Sequence, residues 1–249
     1  MVSLPRVLET GSLHDSLAHP AGNVVVVIPA FQAQATIRSL VESLRSHHLS
    51  VVVVDDASTD RTAVEAKKGG ASVISLPVNG GKGAALRKGF AHAIQERFDW
   101  ILTMDADGQH LAREVPLFLQ AASQGDSDLI IGNRMWNPHG MPLERRLTNW
   151  VMSCLLSRFA VQRMPDTQCG FRLISRRALE RLELVSDRFE IDSELVVKAA
   201  WADFRIGSVP VSSVYRRSLS FIRPLRDTAR FLRFLLVMAK ARSIRSNPK

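Results

Sequence analysis

In the stretch "LTMDADGQHL", residues 102–111, a short apolar run ends on two carboxylates, Asp105 and Asp107, with an amide and an imidazole, Gln109 and His110, directly behind. In an extended segment side chains at i and i+2 point to the same side, so these carboxylates repel each other unless a cation or a shared proton lies between them. Paired oxygens of this kind suit a hard divalent cation, Mg2+ or Mn2+, which keeps positions open for phosphate oxygens. Other residues supply what a phosphate ligand needs. Lys82 stands in the glycine-rich run "NGGKG", residues 79–83, which lets backbone approach closely, and Arg134 offers a guanidinium fork. Asp55 and Asp56 are acceptors for a base or ribose. These groups describe a nucleoside-diphosphate site, and its most economical chemistry is departure of that diphosphate from a sugar.

The elements that must position these groups follow from hydropathy. "NVVVVI" (23–28), "VVVV" (51–54), "SVISL" (72–76), "WILTM" (100–104) and "DLIIG" (128–132) read as strands buried on both faces. Residues 33–47, 59–68, 82–97 and 113–124 carry helical spacing, with Ser58 or Thr59 as a cap and Gly69 as a stop. The alternation predicts an α/β sheet of largely parallel strands with right-handed crossovers, and ligands then bind at the carboxyl ends of the strands. The polar residues obey that rule. Asp55 and Asp56 follow the second run, "NGGKG" the third, Asp105 and Asp107 the fourth and Arg134 the fifth.

Composition bounds the setting. The chain has 249 residues, 46% hydrophobic and 23% charged, as expected of an ordinary globular protein. No run approaches the ~18 consecutive apolar residues of a membrane span, and the opening "MVSLPRVLETGSLHD" lacks a basic segment followed by an apolar one, so a cytoplasmic location is expected. Cys154 and Cys169, with no CxxC spacing, read as reduced thiols. The net charge of +9 favours phosphates, nucleic acid or an anionic bilayer. From Arg216 to Lys249 there are ten basic residues against one acid, Asp227, interleaved with "FLRFLLVMA" (231–239), the pattern of an amphipathic helix with snorkelling arginines. A nucleic-acid module accounts for the charge but not for the carboxylate pair, and aromatic residues at 6% give few stacking platforms. A receiver-like signalling domain would be roughly half this length, and a nucleotidyltransferase would carry a glycine-rich loop where this chain has "VIPAFQAQA".

The segments "VVVVIPAFQAQATI", "VVVVDDASTDRT", "NGGKGAALRKGFAHA", "TMDADGQH", "DLIIGNR", "DTQCGFR" and "RFEIDSEL", in this order, resemble the dolichol-phosphate mannosyltransferase branch of the inverting family 2 glycosyltransferases. The resemblance runs from about Asn23 to Asp227. It implies a GT-A fold with a Rossmann-like, mostly parallel sheet flanked by helices, a GDP- or UDP-linked sugar donor, a divalent metal and a polyprenyl-phosphate acceptor. It assigns Pro29, Phe31 and Asp55 to the nucleotide, and Asp105, Asp107 and Gln109 to the metal. Arg134 falls to the donor phosphates and sugar, and Arg172 to the acceptor or product phosphate. The chain departs from the pattern at Gln32 and Ala33, where an amide and an acid are common, and at Phe221 of "SFIRP", which keeps Ser220 and Arg223 but replaces a histidine.

The expected organisation is an extension over residues 1–22, a catalytic domain over 23–215 and a basic amphipathic tail over 216–249 on the inner face of an anionic membrane. A second membrane contact is expected from 143–161, where Leu147, Val151, Cys154, Leu155 and Arg158 share helical spacing. For the reaction, the metal and Arg134 stabilise the leaving diphosphate while an acceptor oxygen attacks the anomeric carbon from the opposite face. A phosphate acceptor, already anionic, needs cations such as Arg172, Arg217 and Arg223 and no base. The alternative, a lipid or glycan hydroxyl, needs a base, for which Asp166, Glu190 and Asp192 are the candidates.

Overall fold

The computed structural model describes residues 22–138, 140–212 and 214, together with Phe234, Leu235 and Met238. Seven strands form one sheet: β1 (Val24–Ala30), β2 (Ser50–Asp55), β3 (Ser72–Ser75), β4 (Trp100–Thr103), β5 (Leu129–Asn133), β6 (Arg172–Ser175) and β7 (Ile206–Pro210), in the order β3-β2-β1-β4-β6-β5-β7. Helices connect them: α1 (Ile37–Arg45), α2 (Thr62–Lys68), α3 (Lys82–Gln95), α4 (Val115–Ser123), α5 (Leu143–Ala160), α6 (Arg176–Arg181) and α7 (Glu190–Trp201).

The central strands are valine-rich because both faces are covered. β1 is buried along its whole length and pairs in parallel with β2 on one side and β4 on the other. Each side chain of this kind contributes roughly 1.5–3 kcal/mol by leaving water. α3 packs on β1 and β2 so closely that a Cβ at Gly89 would lie 2.4 Å from Val27 Cγ1, and this fixes the height of the helix start above the sheet.

The five strands and four helices legible in the sequence are present within a few residues, and two strands are additional. β6 runs antiparallel between β4 and β5, with Thr103 opposite Arg172, and β7 pairs in parallel with β5. "RLIS" opens on an arginine and "IGSVP" carries glycine, serine and proline, so neither reads as an apolar strand. Because β6 runs against its neighbours, its amino end lies at the carboxyl edge of the others and brings Gly170 and Arg172 there.

Of two local expectations at α2, the cap is corrected and the stop at Gly69 holds. Neither Ser58 nor Thr59 caps α2, whose N-cap is Arg61; their hydroxyls accept instead from Gln32 N (3.0 Å) and Gln32 Nε2 (2.7 Å). Gly69 ends α2 in a right-handed conformation, and the left-handed turn falls on Gly70, at φ +95°. Of the tail, Phe234, Leu235 and Met238 are helical and buried in the main core cluster, so these apolar side chains are taken up by the protein itself and not offered to a bilayer. Phe231, Arg217, Ser220, Phe221 and Arg223 lie outside the described residues, as does most of 1–22.

Candidate functional site

The loops after β1, β2 and β4 meet at the carboxyl edge. Gln32, at φ +52°, begins a turn whose amides are held by the loop after β2: Ala33 N donates to Thr62 Oγ1 (2.7 Å) and Gln34 N to Asp60 Oδ2 (3.2 Å). Gln32, through its backbone and side chain, and Ala33, through its backbone N–H, tie these loops together. The turn leaves Phe31 40% exposed, while Asp55, opposite Ala30 in the sheet, is buried and accepts from Ser58 N (3.2 Å). Pro29 is buried within β1, opposite Val54.

The Asp105–Asp107 loop is fixed from both sides. Thr36, at the start of α1, makes no capping bond; its Oγ1 donates to Ala106 O at 2.6 Å. Thr103 Oγ1 donates to Gly170 O at 2.8 Å, and a Cβ at Gly170 would fall 2.4 Å from Asp105 Oδ2. Only a glycine fits there, and "DTQCGFR" carried that signal without saying what it faced. Asp107 is exposed and accepts from Gln109 N at 2.9 Å. His110 is buried, tilted against Phe171 with ring centroids 5.2 Å apart, and places Nε2 3.9 Å from Asp105 Oδ2. Its Nδ1 has no partner among the described residues.

Lys82, the first residue of α3, bridges two acids: Nζ lies 2.6 Å from Asp105 Oδ1 and 2.8 Å from Asp192 Oδ2 of α7. Burial by itself would lower the Lys82 pKa, but Asp105 and Asp192 raise it above the usual lysine value. Burial likewise opposes ionisation of Asp105, yet the Lys82 ammonium, with His110 adding to it, holds the carboxyl far below the ordinary range. Asp107 moves the other way, pushed up by desolvation and then by the charge of Asp105. A cation between the two carboxylates would remove that last penalty. The donors fit such a cation: two carboxylates and the amide of Gln109 offer hard oxygens, few enough to leave positions for phosphate and water. Among the described residues no group of three or more His, Cys, Asp or Glu is placed to hold a metal ion.

Several residues singled out in the sequence do something else. The glycine-rich run is not an open phosphate cradle. Gly80 N and Gly81 N donate to the two oxygens of Asp56 (2.7 and 2.8 Å), Ala84 N donates to Asp187 O (3.0 Å), and Cβ atoms at Gly81 and Gly83 would strike Asp187 O and Ser186 O. The backbone that approaches these glycines closely is this chain's own, and Asp56 braces the loop rather than facing a ribose. Arg172 is fully buried and donates to the carbonyls of Cys169 (2.7 Å), Thr167 (2.7 Å) and Asp192 (2.5 Å). With its guanidinium spent on backbone, it presents no fork to an acceptor phosphate. Asp166 is fully buried and bound by both Arg134 Nε (2.7 Å) and Nη2 (2.9 Å), with Arg134 N (3.1 Å) and Gln168 N (3.3 Å) added. Both oxygens of Asp166 are taken up by these donors, which hold the Arg134 guanidinium in place. Asp192 is buried between Lys82 and Arg172, whose Nη1 lies 3.6 Å from Asp192 Oδ1. Burial pushes the Cys169 thiol up to about 12, which keeps it chemically quiet.

α5 resolves differently from a helix merely packed on the sheet. It buries Ser153, Leu156 and Ala160, and it exposes Leu143, Leu147, Trp150, Val151 and Leu155 along one stripe. Arg146 and Arg158 are exposed along the same helix. Among the described residues no helix is long and apolar enough to cross a membrane.

A doubly covered, mostly parallel sheet with an Asp-x-Asp loop at its carboxyl edge defines an α/β enzyme of the GT-A type. The family model described as glycosyl transferase family 2 matches residues 25–183, and the chain belongs to that family and is a glycosyltransferase. It is 32% identical to an uncharacterised protein of Methanocaldococcus jannaschii, over 77% of this chain and 82% of the relative. It is 29% identical to the polyprenol monophosphomannose synthase of Mycolicibacterium smegmatis, over 86% of each. With the UDP-N-acetylglucosamine–dolichyl-phosphate N-acetylglucosaminyltransferase of Methanococcus voltae it shares 27% identity, over 77% of this chain and 86% of the relative. Among solved structures, glucosyl-3-phosphoglycerate synthase from Mycobacterium tuberculosis, in complex with Mn2+, UDP and glucosyl-3-phosphoglycerate, superposes with a TM-score of 0.71 at 20% identity, covering 94% of this chain and 86% of that one.

Proposed function

We propose that the protein transfers a sugar, with inversion, from a GDP- or UDP-linked donor to a polyprenyl phosphate at the inner face of a membrane. The observation that carries the acceptor assignment is the state of the carboxylates. Asp166 is locked by the Arg134 fork and Asp192 by Lys82 and Arg172, so neither is poised to deprotonate a hydroxyl. Glu190 remains, partly exposed at the start of α7. A phosphate monoester is anionic at neutral pH and needs no base. The names of the M. voltae and M. smegmatis relatives, which specify dolichyl-phosphate and polyprenol-phosphate chemistry, agree with this.

On this reading Phe31 and Asp55 hold the nucleotide, and Asp105, Asp107 and Gln109 hold Mg2+ or Mn2+, which when bound neutralises the diphosphate as it leaves. Arg134, oriented by Asp166, faces the donor phosphates and sugar. With Arg172 committed to the backbone, Arg217, Ser220 and Arg223 are the remaining candidates for the acceptor phosphate. The isoprenoid lies along α5, where Met135, Leu143, Leu147 and Trp150 line a groove of about 610 Å³ that begins one residue from Arg134. Rim arginines on this helix meet anionic headgroups, each worth ~1 kcal/mol near such a surface.

The test is incubation of the full chain with Mg2+ or Mn2+, a panel of nucleotide sugars and a polyprenyl phosphate, with the released nucleoside diphosphate and the lipid product followed together. The expected product is a glycosyl phosphate cleaved by mild acid. An acid-stable, phosphate-free glycolipid as the main product would refute the phosphate acceptor in favour of a hydroxyl one, with Glu190 then the base to test.

A further inference from the structure

The ion pairs around Lys82 are unusual for their place in the fold. The amino end of a helix carries partial positive charge, which disfavours a cation, yet Lys82 is the first residue of α3 and is mostly buried. The backbone beneath it is closely covered, since a Cβ at Gly81 or Gly83 would meet the 186–187 segment and Ala84 N donates to Asp187 O. Its ammonium is shared between a carboxylate of the metal pair, Asp105, and a carboxylate of a different element, Asp192. Asp192 also has a fixed second partner, since Arg172 is anchored by three carbonyls. A divalent cation between Asp105 and Asp107 would stand within a few ångströms of Lys82 Nζ, and like charges at that separation repel strongly in a partly desolvated site.

We infer that Lys82 is a built-in counter-ion that neutralises Asp105 when no metal is bound and shifts onto Asp192 when a divalent cation enters. One ammonium thereby links metal loading to the seating of α7. Lys82 acts here as a positioning residue, through Asp105 and Asp192, and the inference rests on the reading that Asp105 and Asp107 hold the metal.

Removing the ammonium and removing its alternative partner have effects of opposite sign. Removing the competing charge in Lys82→Met tightens binding of Mn2+ to the free protein by about tenfold or more. Asp192→Asn removes the alternative partner, confines the ammonium to Asp105 and weakens Mn2+ binding several-fold. Lys82→Arg keeps the charge and leaves affinity well below that of Lys82→Met. The experiment titrates Mn2+ alone into the full chain and reads the free-ion signal by electron paramagnetic resonance, with thermal melting as a check of fold. Should Lys82→Met not fold, Lys82→Gln, which keeps a donor toward both acids, replaces it. A merely structural role would move the Lys82 and Asp192 variants in the same direction, and that result, or no tightening on loss of the ammonium, overturns the inference. Asp107→Asn separates the two readings. If it leaves Mn2+ binding unchanged, the metal assignment and this inference fail together; if it abolishes binding while Lys82→Met does not tighten it, this inference alone fails.

Discussion

At the scale of single residues, charge and steric fit around Asp105 govern what the site can do. Asp107 is the exposed member of the pair and makes one hydrogen bond among the described residues, so Asp107→Asn removes charge without removing a structural tie. Activity is expected to fall by ~10² or more, as when other preorganised charge stabilisation is deleted, with the melting temperature unchanged. Steady-state assays alongside thermal melts check this, and full turnover in excess chelator would contradict it. Gly170→Ala is the steric counterpart. Its Cβ would overlap Asp105 Oδ2, Cγ and Oδ1, so either the carboxylate or the "DTQCGFR" turn must move. Overpacking of this kind typically costs ~1–3 kcal/mol, and activity should fall further than stability because the displaced group is a proposed metal ligand. A variant with wild-type turnover would show that Asp105 tolerates displacement.

At the scale of elements, the segment before α7 acts as a cover over the start of α3. Glu194, fully buried within α7, accepts from Val185 N (3.1 Å) and Ser186 N (2.8 Å) and pairs with Lys198 at 2.6 Å. Those bonds fix the carbonyls of Ser186 and Asp187 against Gly83 and Ala84. Burial opposes ionisation of Glu194, but Lys198 and the amides outweigh it and its pKa is lowered. A lowered folded-state pKa stabilises the fold above the unfolded value, ~4.3, and that stabilisation is lost as pH falls through the folded value. Glu194→Gln should therefore melt lower than the wild type at pH 7, with the gap closing in acid. Thermal melts between pH 7 and pH 3 measure this, and a gap independent of pH would contradict it.

At the scale of the whole molecule, the proposed membrane attachment draws on the net charge of +9 and the exposed stripe on α5. Leu147 and Trp150 are 63% and 57% exposed, so replacing both with glutamate should alter stability by only ~0.5 kcal/mol each. Pelleting with vesicles of anionic lipid should nevertheless fall sharply. For the unaltered chain, raised salt should weaken pelleting without abolishing it, because salt screens the arginines but not apolar burial. Equal pelleting of variant and wild type would rule out α5 as the proposed attachment.

What the sequence determined by itself was whatever depends on local pattern: the five apolar runs and the helices between them, the order of the motifs, and the presence of Asp105, Asp107 and Arg134 at one edge. Those follow from hydropathy period and the geometry of βα units, which act over a few residues. What only the tertiary structure decided was which charges are already spent. Arg172 and Asp166 look in the sequence like a phosphate fork and a base; antiparallel β6 makes Arg172 a buried brace, and the segment leading into β6 brings Asp166 onto the Arg134 guanidinium. The glycines of "NGGKG" look like a ligand cradle and turn out to admit residues 186–187, more than 100 positions away in the chain. Net ionic partnership depends on separation in space between segments distant in sequence, and spacing along the chain does not encode it.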